Sequence, residues 1–183
     1  MRRFVILTLA MLLLAPLAHA GDISLFGSGW DMGDADTVYG GGFRLTGWEG
    51  PWAADFTIAW MDDSTYYWNG WGYYYTENVQ VTPLELGLRY MLQENRSFRP
   101  YLGGGFGYYL TDSDYADVDD SWGGYILGGF NIGDPQSFDF FAELVYRWVD
   151  VDAKWHNPDN DETGKWSVDL AGLAFNLGVV IHF

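Results

Sequence analysis

Cysteine is absent from all 183 residues, so neither a disulfide nor thiolate chemistry is available to this chain. Basic residues are scarce: nine Lys and Arg stand against 25 Asp and Glu, for a formal net charge of −16. A nucleic-acid partner would need a basic face to displace counterions, and the few cations here are scattered, so none is expected. Also missing is an uninterrupted apolar run of the ~20 residues that a spanning helix requires. The longest apolar stretch of the body of the chain, Leu170 to Ile181, is broken by Asn176 and is dense in glycine and β-branched residues, which is strand composition.

What is present begins with a leader. Arg2 and Arg3 precede the apolar run Phe4 to Leu14 and then Ala18-His19-Ala20, the charged, apolar, small-residue order of a secretory signal. Cleavage after Ala20 is expected, leaving 21–183 as one domain in an exported protein. Removing Arg2 and Arg3 takes the charge from −16 to about −18. Aromatic residues make up 19% of the chain, yet the mean hydropathy is only −0.09. A transmembrane β-barrel reconciles the two, because only alternate residues face lipid.

Eight segments carry strand composition between turn signals: Asp22 to Trp30, Thr37 to Trp48, Trp52 to Met61, Asn78 to Gln93, Phe98 to Leu110, Trp122 to Ile132, Phe138 to Val149 and Trp166 to Phe183. Their connections alternate in length. Glu49-Gly50-Pro51, Glu94 to Ser97 and Gly133 to Ser137 are tight turns, whereas Asp62 to Glu77, Thr111 to Ser121 and Asp150 to Lys165 are long and acidic, and Asp31 to Asp36 is short but acidic. Outer-membrane barrels pair short periplasmic turns with longer outside loops, which places both chain ends in the periplasm. The predicted fold is therefore all-β, an eight-stranded antiparallel up-and-down barrel in a Gram-negative type of outer membrane.

Period-two alternation assigns faces. Leu84, Leu86, Leu88, Tyr90 and Leu92 oppose Glu85, Gly87, Arg89 and Met91; Phe140, Ala142, Leu144, Tyr146 and Trp148 oppose Asp139, Phe141, Glu143, Val145 and Arg147; Phe56, Ile58 and Trp60 oppose Asp55, Thr57 and Ala59; Tyr39, Phe43 and Leu45 oppose Arg44 and Thr46. The apolar set meets lipid. The segment Trp122 to Ile132 is ambiguous by parity. Trp48 and Trp52 at a tight turn, and Trp30, Trp60, Trp122, Trp148 and Trp166 at outer ends, read as two interfacial girdles.

The chain ends Phe175-Asn176-Leu177-Gly178-Val179-Val180-Ile181-His182-Phe183, alternating to a terminal aromatic. This resembles the C-terminal assembly signal of outer-membrane barrels, with Asn176, Gly178, Ile181 and Phe183 in its polar, glycine and two apolar places. The mature chain as a whole resembles the small OmpA/OmpX-type barrels, whose interiors are filled by side chains. The resemblance implies partnership with the barrel-assembly machinery through the last strand, and with outer-membrane lipid and lipopolysaccharide. The resemblance covers the barrel alone, and the periplasmic peptidoglycan-binding domain of the longer members is not expected here, so tethering to the cell wall is not implied.

Three clusters are candidates for function. Arg44, Asp55, Glu85, Arg89, Glu143 and Arg147 face inward; in the family such groups pair across the lumen, and they form either a polar plug or the gate of a narrow porin-like channel. The loop with Trp68, Trp71 and Tyr74 among its tyrosines presents rigid amphipathic rings suited to an extracellular ligand; alternatively those rings belong to an extended hairpin or the outer girdle. Asp112, Asp114, Asp117, Asp119 and Asp120, with Asp150, Asp152, Asp159, Asp161 and Glu162, read as a solvated acidic surface or as weak divalent-cation bridges to lipid phosphates; the EF-hand spacing fails at Ala116 and Asp117, and no dedicated metal or cofactor site is expected. An outer-leaflet lipid hydrolase would have only His156 with Ser64, Ser113 or Ser121, and no local motif orients them. The expected function is therefore non-enzymatic, structural or surface-interacting.

Overall fold

The computed structural model describes residues 21–33, 37–68, 74–93, 97–113, 117–134, 137–157 and 162–183. The expected leader and Trp71 lie outside the described residues. Ten strands form: β1 (Gly21–Met32), β2 (Thr37–Glu49), β3 (Trp52–Trp68), β4 (Tyr74–Met91), β5 (Phe98–Ser113), β6 (Asp117–Val118), β7 (Ser121–Gly133), β8 (Phe138–Asn157), β9 (Glu162–Asp169) and β10 (Gly172–His182). Eight of them, β1 to β5, β7, β8 and β10, pair antiparallel with their neighbours in chain order, and β10 pairs with both β8 and β1. The barrel wall therefore closes on itself. At the seam Phe183 N donates to Gly21 O at 3.1 Å, tying the last strand to the start of β1. Gly50, in the turn between β2 and β3, has φ of 57°, a left-handed conformation that suits glycine.

The expected barrel of eight strands is correct, but the long connections are not plain loops. β3 runs on to Trp68 and β4 starts at Tyr74, with Trp68 opposite Tyr74 and Tyr67 opposite Tyr75, so the extended-hairpin reading of that aromatic segment holds for the backbone. β8 continues to Asn157, where β9 pairs with it from Asp150–Asp169 to Asn157–Glu162, and β6 adds to it at Lys154 and Ala153. The last expected strand is thus split in two at Leu170 and Ala171. Hydropathy could not show these extensions: outside the bilayer neither face meets lipid or lumen, so alternation fades while backbone pairing continues.

Inside the membrane-spanning part the alternation is strict. Leu25, Tyr39, Trp52, Trp60, Leu88, Tyr90, Leu102, Phe140, Leu144, Phe175 and Leu177 point outward and are exposed, and Phe106 and Trp122 are 75% and 74% exposed. An apolar belt of this extent is far beyond what a water-facing wall carries, and matches a surface covered by lipid. Ring pairs mark its two margins: Trp52–Tyr90 at 4.8 Å and Phe98–Phe130 at 5.3 Å near the tight turns, Tyr108–Trp122 at 5.0 Å and Tyr146–Trp148 at 5.1 Å near the long hairpins. Two expected girdle members are not in it. Trp30 is fully buried inside the barrel against Tyr109, and Trp48 turns inward, its Nε1 donating to Asp22 Oδ2 at 2.6 Å. Strand parity explains both: Trp30 shares its face of β1 with Asp22, Ser24 and Ser28, and Trp48 shares its face of β2 with Arg44 and Thr46. The ambiguous strand, now β7, turns Tyr125, Leu127 and Asn131 inward and Trp122, Ile126 and Ile132 outward.

Candidate functional site in the barrel interior

All six charged residues assigned to the lumen lie inside it and are buried, paired as Arg44–Glu143, Arg89–Asp55 and Arg147–Glu85. Arg44–Glu143 and Arg147–Glu85 join strands that are not neighbours and so brace the cylinder, whereas Arg89–Asp55 links the adjacent β4 and β3. Arg44 offers Nη2 to Glu143 Oε1 at 2.7 Å and Nη1 to Oε2 at 3.0 Å, a bidentate fork, while its Nε donates to Thr57 Oγ1 at 3.1 Å. Glu143 also accepts from Tyr101 at 3.1 Å and from Asn176 Nδ2 at 3.0 Å. The Asp55 carboxylate takes both Arg89 Nε and Nη2, and Thr46 Oγ1 donates to it at 2.8 Å while accepting from Arg89 Nη2 at 3.0 Å. Arg147 Nε donates to Glu85 Oε1 at 2.8 Å, where Tyr109 also donates at 3.0 Å. Removing an ion from water costs several kcal/mol unless a partner and hydrogen bonds replace the hydration, and here both are supplied.

Aromatic faces complete the cages. Arg89 lies 4.8 Å from the Tyr101 ring centroid, Arg147 lies 4.9 Å from that of Trp30, and Arg44 sits between Phe26 and Phe141 at 5.9 and 5.7 Å. A guanidinium is planar and weakly hydrated, so it stacks on rings where an ammonium would keep its water.

A second charged tier, at the tight-turn end, was not anticipated. Arg99 pairs with Asp139, and His182 sits between two carboxylates, Nδ1 at 2.7 Å from Asp22 Oδ1 and Nε2 at 2.9 Å from Asp139 Oδ2. Asp139 falls on the inward face by alternation, which was the available signal. Arg99 stands beside Pro100 at the start of β5, where a turn reading masks its direction, and His182 shares the inward face of β10 with Asn176 and Val180.

Among the described residues the opposite half of the interior carries no such pairs. Trp30, Met32, Val38, Met61, Val81, Val149, Val151 and Leu170 pack there, all buried. The lumen is therefore two-layered: charged pairs run from the tight turns up to Arg147, whose guanidinium stacks on Trp30, and an apolar lid packs above them beneath the long hairpins.

The four assembly-signal residues divide by face. Asn176 is buried and Ile181 and Phe183 are exposed on the wall. At Gly178 an added Cβ would stand 2.1 Å from Leu25 O and 2.7 Å from the Phe141 ring, so only glycine lets β10 close on β1 here. Of the loop candidates, Trp68 and Tyr74 are paired in the hairpin backbone. Ser121 donates its hydroxyl to the Asp150 carbonyl, Asp120 accepts from Tyr108 and from the Thr111 amide, and the His156 side chain lies outside the described residues. Among the described residues no group of three or more His, Asp or Glu is placed to hold a metal.

No protein-family model matches the chain, and no curated protein matches it in sequence. Solved structures do. The outer-membrane protein OprG from Pseudomonas aeruginosa superposes with a TM-score of 0.73 at 18% identity, over 90% of this chain and 95% of that one. The fold is that of the small eight-stranded outer-membrane barrels. Neisserial surface protein A gives a TM-score of 0.65 at 9% identity, covering 90% of this chain and 96% of its own, and the Escherichia coli outer membrane protein W gives 0.55 at 15% identity, covering 91% and 100%. At these identities the likeness concerns architecture, and the role has to be argued from the residues.

Proposed function

We propose that this chain is a non-enzymatic, non-conducting barrel of a Gram-negative type of outer membrane, which braces the envelope and presents two long acidic and aromatic hairpins to the outside. The observation that carries this reading is the two-layered interior, in which the four described guanidinium groups each pair with a carboxylate and an apolar lid sits above them. A water path would have to cross both. Residence in the outer membrane is supported by the exposed apolar belt with ring pairs at both margins, and periplasmic termini by the tight turns at the end where Gly21 meets Phe183. The lengths of the hairpin strands support an outward display: β3 has 17 residues and β8 has 20, against the ~9–11 that cross a bilayer. In this reading lipid and lipopolysaccharide surround the wall, the Asn176, Gly178, Ile181 and Phe183 strand delivers the chain to the assembly machinery, and the Trp68, Trp71 and Tyr74 segment meets an external ligand. Planar-bilayer recording on the refolded protein is the test. A silent membrane is expected, and reproducible unitary steps would replace this reading with the narrow-channel one.

A further inference from the structure

The outward face of β1 interrupts the belt. Its positions are Leu25, Gly27, Gly29 and Asp31; the register sets Gly27 between Leu177 and Gly41, Gly29 between Phe175 and Tyr39, and Asp31 between Leu173 and Thr37. Two successive rungs of the wall therefore lack a side chain where their neighbours are Leu, Phe and Tyr. The result is a groove of about 480 Å³ along β1, lined by Gly27, Gly29, Tyr39, Leu173, Phe175 and Leu177. At ~3.4 Å per residue, the distance from Leu25 to Asp31 is roughly 20 Å.

Glycine inside a strand weakens it, so each needs a reason. Several have one in the protein itself: a Cβ at Gly40 would stand 1.8 Å from Trp60 O, and one at Gly172 the same distance from Asp31 O. Gly27 has none. A Cβ there would meet only Gly40 O, at 3.8 Å, and one at Gly29 would first meet the exposed Tyr39 ring at 3.2 Å. Neither glycine has a positive φ. Gly27 leaves a vacancy that internal packing does not require, while a Cβ at Gly29 would press on the Tyr39 ring. The vacancy admits close approach by something outside the chain.

Position identifies the occupant. Asp31 is exposed on the wall and accepts a hydrogen bond from Thr37; because an ionised group on the lipid face is destabilising within the hydrocarbon, this pair marks the outer interface. The groove descends from that level into the apolar belt, continuous with it. We propose that it binds one acyl chain of a membrane lipid, laid on Gly27 and Gly29 between Tyr39 and the Phe175–Leu177 edge, with its headgroup at the level of Asp31 and Thr37.

The test counts lipids. Folded protein is reconstituted in dimyristoylphosphatidylcholine nanodiscs and released into the gas phase for native mass spectrometry, alongside Gly27→Leu, Gly27→Ala and Gly124→Leu, with folding of each checked by circular dichroism. Gly124 is the control: it faces outward on β7 away from the groove, and its Cβ would meet nothing nearer than Gly105 O at 3.7 Å. Wild type and Gly124→Leu are expected to retain one more lipid per barrel than Gly27→Leu, with Gly27→Ala between them. Acyl-methylene cross-peaks to the Gly27 and Gly29 Hα protons are expected in the wild type. Equal lipid counts in all four proteins would overturn the proposal, as would a dimer that Gly27→Leu dissolves, since the occupant would then be a second copy. Should Gly27→Leu fail to fold, Gly27→Ala decides: unchanged retention together with missing cross-peaks would equally overturn it.

Discussion

Replacing Glu143 by glutamine keeps the shape of the side chain and removes only its charge. Four donors converge on this carboxylate: two nitrogens of Arg44, the Tyr101 hydroxyl and the Asn176 amide. An amide has one acceptor oxygen in place of two, so one of its ends must present N–H groups to a donor, and the Arg44 guanidinium is left without its counterion in a site from which water is excluded. Breaking one partner of a buried pair costs about 3–5 kcal/mol, which at about 1.4 kcal/mol per decade is a loss of two to three and a half decades in the folding constant. Replacing both partners by apolar groups of similar volume should be much milder, because no charge is then stranded. Urea unfolding from phospholipid vesicles, followed by tryptophan fluorescence, measures both. The expected pattern is a large destabilisation in Glu143→Gln, and an Arg44→Met, Glu143→Leu double variant closer to wild type than Glu143→Gln is. If Glu143→Gln shifted stability by less than ~1 kcal/mol with an unchanged denaturant slope, the interior would be wet enough to screen the pair, and the sealed-lumen argument would fall with it.

Trp30→Ala removes the largest ring of the lid, together with its contacts to Tyr109 and the Arg147 guanidinium; the same unfolding assay should show a loss of about 3–5 kcal/mol, and a loss near zero would mean that the lid is not packed. Phe183→Ser is expected to lower the yield of folded barrel in the outer membrane of expressing cells while leaving the urea midpoint of refolded protein nearly in place, because Phe183 is exposed on the wall and its backbone hydrogen bonds to Gly21 survive the change; normal yield would count against an assembly signal. Serine at Trp68, Trp71 and Tyr74 together should leave the unfolding midpoint unchanged and remove binding on a glycan array, and retained binding would exclude these rings as a contact patch.

The faces of β3, β4 and β8 were legible because one side of each strand is charged or small and the other greasy, as in Glu85 and Arg89 against Leu84, Leu86 and Leu88. β7 was not, because its inward residues Tyr125 and Leu127 are as apolar as its outward Ile126 and Ile132. The lid escaped for the same physical reason. Val38, Val81 and Val149 face inward, but hydropathy records only that a residue avoids water, and a lid inside the cylinder satisfies that as well as lipid outside it. Asn176 shows a further limit: the pattern of the last strand marks it as part of a routing signal, while its contact with Glu143 depends on where β10 meets β8, a long-range register that no local pattern encodes.

The two layers of the lumen make a conducting state expensive in two independent ways. Wetting the lid exposes Met32, Val38, Met61, Val81, Val149, Val151 and Leu170, and at ~1.5–3 kcal/mol for each such side chain the cost is on the order of 10 kcal/mol. Parting a single ion pair below it adds about 3–5 kcal/mol more. Thermal fluctuation at about 1.4 kcal/mol per decade would populate such a state less than once in a million molecules. On the proposed reading, exchange of partners among the arginines does not relieve this, since it rearranges charge beneath an apolar layer that stays closed. Charge pairs alone would leave a gate that a ligand or a voltage could shift, and an apolar lid alone would leave empty space below it. Together, on that reading, they resist opening as a packed protein interior does rather than as a pore wall does.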